Sequence, residues 1–230
     1  MLFRSTGVTF TAQPGEVTAI IGGTGSGKST LVGLIPRFYD VAAGRVLVDG
    51  VDVRDMSQDT LRAKIGYVPQ KAVLFMGTVA TNIRFGREEA SDDEVKRAAA
   101  IAQASEFIDQ KPEGYGAPVA QGGTNLSGGQ KQRLAMARAL VRNAEIYVFD
   151  DSFSALDFAT DSRLRAALKT ETAGATVFIV SQRIGTVMNA DRIVVLDNGR
   201  VAGIGTHDEL VRTCEVYREI AESQASLEVA

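Results

Sequence analysis

The sequence predicts an α/β fold in which a mostly parallel β-sheet is covered by helices and a helical subdomain is inserted into the sheet domain. Short β-rich runs alternate with helical patterns along most of the chain, as expected for parallel strands that are joined by helices. These runs are almost continuously apolar, which is typical of strands buried on both faces.

Six runs are predicted to be strands. They cover residues 16–21, 45–50, 65–69, 145–150, 176–181 and 192–197. The last run is followed by Asn198-Gly199, a two-residue hairpin turn. A helix is then predicted to begin at Thr206, which forms a capping box with Glu209.

The segment between about residues 72 and 120 has a helical pattern, and no strand is predicted in it. A helix over 91–109 opens at Ser91, with Glu94 three residues later as a capping box. This segment is the predicted helical insertion.

Composition excludes several classes of protein. The hydrophobic fraction of 45% permits a substantial core. A net charge of −3 without a basic block argues against a nucleic-acid partner. The single cysteine, Cys214, cannot form an internal disulfide, which favours a reducing compartment. No apolar run approaches the roughly 20 residues needed to span a bilayer, so we expect any membrane role to come through a partner.

The first predicted strand runs into "GGTGSGKST", which fits the phosphate-loop pattern G-x-x-x-x-G-K-[ST]. The candidate phosphate-binding residues are Gly22, Gly23, Thr24, Gly25, Ser26, Gly27, Lys28, Ser29 and Thr30. Glycines allow successive backbone N–H groups to converge on phosphate oxygens. Lys28 is predicted to reach the β- and γ-phosphates and Ser29 to bind Mg²⁺.

Two further motifs accompany this loop. The strand "IYVFD" ends on Asp150, a carboxylate that could support a phosphate-bound Mg²⁺. In "LSGGQ", Ser127 and Gln130 form a capping box. Gly128 and Gly129 each cost about 1 kcal/mol of helix propensity relative to alanine, so the close approach of an anion is the better explanation for them.

With "SALD" at 154–157 and Gln70 in "YVPQ", these motifs resemble, in order and spacing, the nucleotide-binding domain of ATP-binding cassette (ABC) transporters. The resemblance covers nearly the whole chain, and "GTVATNIRFG" and "GTHDEL" are similar to the exporter branch. It implies a P-loop NTPase (RecA-like) core with a mixed sheet, an antiparallel β part and an inserted α-helical subdomain. Residues 1–230 would form one such domain, with 1–71 and 144–230 as catalytic core with β-subdomain and 72–143 as helical signature subdomain.

The resemblance also implies two domains packed head to tail, with ATP between the phosphate loop of one and the "LSGGQ" of the other. Mg²⁺ would be held by Ser29, Gln70 and Asp150. The nucleotide-contacting residues outside the phosphate loop would be Ser127, Gly128, Gly129, Gln130 and Asp157.

Two positions depart from the family pattern. Asp151 stands where the family usually has a glutamate that acts on the attacking water, and Gln182 stands where it usually has a histidine. Together with Gln70 they are the catalytic candidates. We interpret the pair as the mark of a heterodimeric exporter half whose own ATP site is slow and whose "LSGGQ" completes the site of a consensus partner. His207, the only histidine, is interpreted as a surface or capping residue.

The expected partners are the membrane domain of the same half-transporter and a second nucleotide-binding domain on a different chain, at the cytoplasmic face of the cell membrane. The family's adenine-stacking aromatic residue is expected to precede this chain, so Phe3 and Phe10 are interpreted as core residues of opening strands.

Three alternatives stay open. An ATP-sensing module would bind ATP and dimerise without meaningful hydrolysis. A DNA-repair or chromosome-organising ATPase would need a long coiled coil between the two motifs, and no sustained heptads are present. A translation-factor ATPase would need two cassettes in one chain.

Overall fold

The computed structural model of the chain describes residues 5–228, with side chains described as far as residue 225. The strands are β1 Val17–Gly22, β2 Leu47–Val48, β3 Val51–Asp52, β4 Ile65–Val68, β5 Gly77–Thr78, β6 Pro118–Val119, β7 Ile146–Asp150, β8 Thr176–Val180, β9 Arg192–Asp197 and β10 Arg200–Gly205. The α-helices are α1 Lys28–Gly33, α2 Gln58–Ala63, α3 Val79–Arg84, α4 Asp92–Ile101, α5 Ser105–Asp109, α6 Gly128–Leu140, α7 Phe158–Glu171, α8 Ile184–Val187, α9 His207–Thr213 and α10 Glu215–Glu228.

A six-stranded sheet forms the centre of the fold, in the order β10-β9-β1-β8-β7-β4. All neighbours are parallel except β10, which pairs antiparallel with β9. The β9–β10 hairpin turns at Asn198 and Gly199, whose φ values of 46° and 77° are those of a type I′ turn. The mixed α/β fold that the sequence predicts is therefore confirmed.

Both faces of the sheet are buried. Successive residues of β1 point to opposite faces, so Ile20 packs in one apolar cluster with Val32 of α1. Ala19 and Ile21 pack in another, with Tyr217 of α10. The third and largest cluster joins β4, β7 and β8 to helices α3–α7. Burial on both sides explains why the strands read as continuous apolar runs.

The prediction of one helix over 91–109 is wrong in detail, because this segment forms two helices, α4 and α5. Gln103 has a φ of 56°, which ends the first helix. The carbonyl of Gln103 accepts a hydrogen bond from the Arg133 guanidinium at 3.0 Å, which holds the break in place. The capping box of Ser91 and Glu94 is present as predicted.

Two strand predictions also need correction. Residues 45–50 do not add a strand to the central sheet, because Asp49 and Gly50 have φ values of 52° and 78° and turn the chain back after β2 into a separate hairpin with β3. The segment predicted to be free of strands contains the short antiparallel pair β5–β6. Such two-residue strands have no periodicity that a sequence pattern could reveal.

Phe10 packs edge-on against Phe178 with ring centroids 6.5 Å apart, but it belongs to no strand. Phe3 lies outside the described residues. Among the helices of residues 5–228, none is both long and apolar enough to cross a bilayer.

Candidate functional site

A cleft of about 390 Å³ opens at the edge of the sheet where the parallel strands end. Because β1, β7 and β8 are parallel neighbours, the loops that follow them meet at this edge. The cleft is lined by Thr24, Gly25, Gly27, Lys28, Ser29, Thr30, Gln70, Asp151, Val180 and Gln182. Its size falls within the range of small-molecule sites, about 300–1,000 Å³.

The phosphate loop wraps tightly between β1 and α1. A Cβ on Gly22 would lie 2.1 Å from the carbonyl oxygen of Leu196, so only glycine fits at that position. Lys28 is 7% exposed, and its ammonium donates to the carbonyls of Gly22 and Gly23 at 2.8 Å each. Burial lowers the pKa of Lys28, and the nearby charges of Asp151 and Asp150 partly oppose that shift.

The donors around this loop fit an anionic ligand. The Ser26 hydroxyl is buried without a hydrogen-bond partner among the described residues. A buried hydroxyl of this kind calls for a polar partner. Together with the Lys28 ammonium, it makes the phosphate loop suited to phosphate oxygens.

Asp150 ends β7 as a buried carboxylate with two hydroxyl partners. Ser29 donates to its Oδ1 at 2.8 Å, and Tyr67 donates to its Oδ2 at 3.1 Å. Burial, followed by the charge of Asp150, raises the pKa of Tyr67, which keeps that hydroxyl protonated as a donor. The oxygens of Ser29 and Asp150 are the type of ligand that Mg²⁺ takes together with phosphates and water.

Tyr67 is the site residue that sequence reasoning missed. The signal available was a single hydroxyl-bearing side chain in the otherwise apolar strand β4. Since β4 is the neighbour of β7, a polar side chain near its carboxyl end can reach Asp150.

Asp151 follows β7 in a left-handed conformation with a φ of 45°, which aspartate tolerates better than most residues. Its carboxylate accepts a hydrogen bond from the Gln70 side-chain amide at 3.0 Å. Burial raises the pKa of Asp151, with Gln70 and Lys28 opposing that shift. Gln70 and Asp151, two of the three catalytic candidates, therefore lie within hydrogen-bonding distance of each other.

Gln182 lies just after β8 and its side chain is exposed. The Thr24 hydroxyl donates to the Gln182 side-chain oxygen at 3.3 Å. The two positions that depart from the family pattern, Asp151 and Gln182, thus line one cleft with the phosphate loop.

The "LSGGQ" residues do not line this cleft. Ser127 caps α6, and its N–H donates to the Gln130 side chain at 3.1 Å. A Cβ on Gly129 would lie 3.1 Å from the carbonyl oxygen of Ala155, so packing within the chain gives a second reason for that glycine. Gly128 has open space around it.

A second cleft lies beside the start of α6. It is lined by Glu106, Phe107, Gln110, Gln130, Arg133, Asp157, Thr160 and Arg163. Asp157 caps α7 and accepts a hydrogen bond from the Thr160 N–H at 2.9 Å, which lowers the pKa of Asp157. Gln130 and Asp157 thus line a cleft separate from the phosphate loop, and we call this cleft, together with the exposed turn at Ser127 and Gly128, the signature surface.

A hydrogen bond connects helix α6 of the signature motif to the segment that carries Gln70. The buried Gln132 side chain of α6 donates to the carbonyl of Pro69 at 3.2 Å, directly before Gln70. His207 lies outside the cleft, where its Nδ1 shares a 2.8 Å hydrogen bond with the Tyr217 hydroxyl.

The comparisons with known proteins agree with this geometry. The family model of the ABC transporter matches residues 5–154, more than half of the chain. An uncharacterised ABC transporter ATP-binding protein of Mycobacterium bovis is 50% identical over 95% of this chain and 38% of its own length. An ATP-dependent lipid A-core flippase of Chromobacterium violaceum is 44% identical over 96% of this chain and 38% of its own length.

A solved structure of a bacterial Atm1-family ABC exporter with ATP bound superposes with a TM-score of 0.91 at 42% identity, covering 94% of this chain and 38% of that one. The chain thus spans about two fifths of the length of these relatives. It belongs to the ABC transporter family, as a nucleotide-binding domain similar to those of exporters.

Proposed function

We propose that this chain is the ATP-hydrolysing motor domain of an ABC exporter and that it powers transport by an attached membrane domain. The observation that carries the proposal is the 2.8 Å bond between Ser29 of the phosphate loop and Asp150, which brings a hydroxyl and a carboxylate together beside Lys28. Residues 22–30 would bind the triphosphate, and Ser29, Asp150 and Gln70 would hold Mg²⁺.

Four of the cleft residues would act on the phosphates or on the attacking water in this reaction. Mg²⁺ held by Ser29, Asp150 and Gln70 would neutralise negative charge on the phosphates. Lys28 adds a positive charge from the protein, and Gln182 donates a hydrogen bond to the γ-phosphate. Asp151, held by Gln70, orients the water and takes its proton as the new phosphorus–oxygen bond forms and the bond to the ADP oxygen breaks.

We infer that this reaction is slow in the chain's own site. The Asp151 carboxylate is one methylene shorter than the glutamate usual in the family, and a displacement of about 1 Å costs on the order of a hundredfold in rate. Gln182 can donate a hydrogen bond but cannot titrate as histidine does. Both departures lie in one cleft, so they act on the same step.

The separation of the signature surface from the phosphate loop supports head-to-tail dimerisation. Residues 72–143 of this chain would form its signature subdomain. Ser127, Gly129 and Asp157 would contact nucleotide that a second domain holds. That second domain would be a different chain with the consensus glutamate and histidine. The signature here would complete the partner's faster site.

An exposed apolar patch supports docking to a membrane domain at the cytoplasmic face of the membrane. The patch consists of Val73, Phe75, Met76 and Phe85, which are 52%, 43%, 80% and 65% exposed. The rings of Phe75 and Phe85 lie 4.3 Å apart, and the Arg138 guanidinium covers them at 5.1 and 5.6 Å. Clustered exposed apolar side chains of this kind mark interaction sites.

The test is the Mg²⁺-dependent ATPase rate at high protein concentration, for the chain as written and for the double variant Asp151→Glu with Gln182→His. A gain on the order of a hundredfold with unchanged ATP affinity is expected. The two single variants show whether one position accounts for the gain. Because glutamate is less favourable than aspartate at a φ of 45°, folding is checked by thermal unfolding.

A lack of gain in a folded, ATP-binding double variant would contradict the slow-site proposal. If both forms dimerise with ATP and neither hydrolyses it, the ATP-sensing module is the better description.

A further inference from the structure

The C-terminal helix α10 reaches the loop that carries Gln182. The side-chain amide of Gln224 donates to the main-chain carbonyl of Gln182 at 2.7 Å. The side-chain oxygen of Gln224 accepts from the main-chain N–H of Ile184 at 2.8 Å. One side chain therefore holds this loop at two points, on either side of Arg183.

The two hydrogen bonds of Gln224, which we call the clamp, depend on helix α10, and this helix is held in place by the core. Tyr217 of α10 is 0% exposed and packs in the apolar cluster with Ile21 of β1 and Val187 of α8. The Tyr217 hydroxyl also shares the 2.8 Å hydrogen bond with His207 at the start of α9. Gln224 lies two turns further along the same helix, so the core fixes its position.

The clamped loop is connected to Asp151. The Arg183 guanidinium donates to the carbonyl of Ser154 at 3.1 Å, and the Ser154 hydroxyl donates to the carbonyl of Asp151 at 2.8 Å. At its start, the loop is fixed by Ser181, whose N–H donates to Ile20 at 3.2 Å. Gln224 thus connects helix α10 to this network.

We propose that Gln224 is a positioning residue that sets the orientation of Gln182 toward the γ-phosphate. This inference rests on the proposed function, which gives Gln182 that contact. Without the Gln224 amide, the main chain at 182–184 loses two hydrogen bonds. The main chain that carries the Gln182 side chain is then less constrained. Since ADP lacks a γ-phosphate, the clamp should favour ATP over ADP without affecting the rest of the phosphate loop.

The experiment compares Mg²⁺-dependent binding of ATP and ADP by the wild-type chain, Gln224→Ala, Gln182→Ala and the double variant. Gln224→Ala is expected to weaken ATP binding by about two- to tenfold, the equivalent of one hydrogen bond, with ADP binding unchanged. Gln182→Ala should have the same effect, and the double variant should be no worse, because residues that act through one contact are not additive.

Two further variants separate positioning from general stability. Glu219→Ala removes a side chain of similar size from the exposed face of α10 and is expected to behave as wild type. Gln224→Glu can still accept from the Ile184 N–H but cannot donate to the Gln182 carbonyl. Gln224→Glu should therefore keep the hydrogen-exchange protection of the Ile184 amide, whereas Gln224→Ala should lose it. Both variants should lose the preference for ATP over ADP.

An unchanged ATP-to-ADP preference in Gln224→Ala, while Gln182→Ala loses it, overturns this inference alone. Additive losses in the double variant also overturn it. If wild type binds ATP no better than ADP, or Gln182→Ala keeps the preference, both the role proposed for Gln182 and the inference fall.

Discussion

The phosphate-loop cleft and the signature surface both contain a glycine-rich turn before a helix, yet their polar groups are bonded in different ways. In the cleft, bonds join residues far apart in sequence: Ser29 and Asp150 are 121 positions apart, and Thr24 and Gln182 are 158 apart. On the signature surface, the Ser127–Gln130 and Asp157–Thr160 bonds span three positions each. The hydrogen bonds that join Ser29 to Asp150 and Thr24 to Gln182 thus depend on the tertiary fold, whereas those of Ser127 and Asp157 are local helix caps.

The largest expected effect is on the cleft. Lys28→Met removes the ammonium beside Asp150 and Asp151 and is expected to weaken MgATP binding by about ten- to a hundredfold, the equivalent of a hydrogen bond to a charged group. Titration of MgATP into dilute protein, followed by fluorescence, measures this affinity. Lys64→Met is the matched control, because the Lys64 ion pairs with Glu145 and Asp49 lie away from the cleft. Equal affinities for wild type and Lys28→Met would show that the cleft does not bind triphosphate.

The second prediction tests whether the signature surface serves another molecule. Ser127→Asp keeps a good helix cap but adds a negative charge toward phosphate, and Ser127→Asn is its neutral control. Neither Lys28→Met nor Ser127→Asp is expected to dimerise alone with ATP, since each damages both sites of a dimer.

Mixed together, these two chains should partly recover ATP-dependent dimers, because one site then combines an intact cleft with an intact signature. Analytical ultracentrifugation measures the recovery. If the wild-type chain forms ATP-dependent dimers, a mixture no better than its components would contradict the head-to-tail arrangement.

The same contrast explains what the sequence could predict. Continuous apolar runs locate the parallel strands, and parallel strands bring their following loops to one edge. The meeting of Ser29, Asp151 and Gln182 at that edge therefore follows from the pattern. The contacts of Tyr67 and Gln224 do not, because each depends on which strand or helix packs beside the cleft. The break at Gln103 depends on a left-handed residue that no periodicity marks.

The third prediction concerns Tyr67, which extends the cleft network to β4. Tyr67→Phe removes the 3.1 Å bond to Asp150 and is expected to reduce the Mg²⁺ enhancement of ATP binding by about fivefold, the equivalent of about 1 kcal/mol. Mg²⁺ titrations at a fixed ATP concentration measure this enhancement, and ATP binding in the presence of a chelator is the reference. Tyr39→Phe is the matched control, since Tyr39 is 63% exposed. Equal Mg²⁺ dependence in both variants would exclude a positioning role for the Tyr67 hydroxyl.

The smallest expected effect is on stability, and it has opposite signs in the two regions. Because burial raises the pKa of Asp151, the fold disfavours its charged form, and the free energy of unfolding falls as pH rises through that raised pKa. Asp151→Asn removes this cost and suits a φ of 45°, so at neutral pH it should stabilise the protein, by less than about 1 kcal/mol because the group is partly solvated.

Asp157→Asn should do the reverse. The Thr160 N–H lowers the pKa of Asp157, so its charged form contributes stability that is present above its ordinary pKa and lost as pH falls through the lowered value. Urea unfolding of wild type and both variants from about pH 2 to about pH 7 measures the two slopes, because the Asp157 slope lies below the ordinary pKa of aspartate and the Asp151 slope lies above it. If Asp151→Asn also destabilised the protein at neutral pH, the Asp151 carboxylate would contribute to folding through Gln70 and Lys28. The cleft would then be held together by the charge that we assign to catalysis.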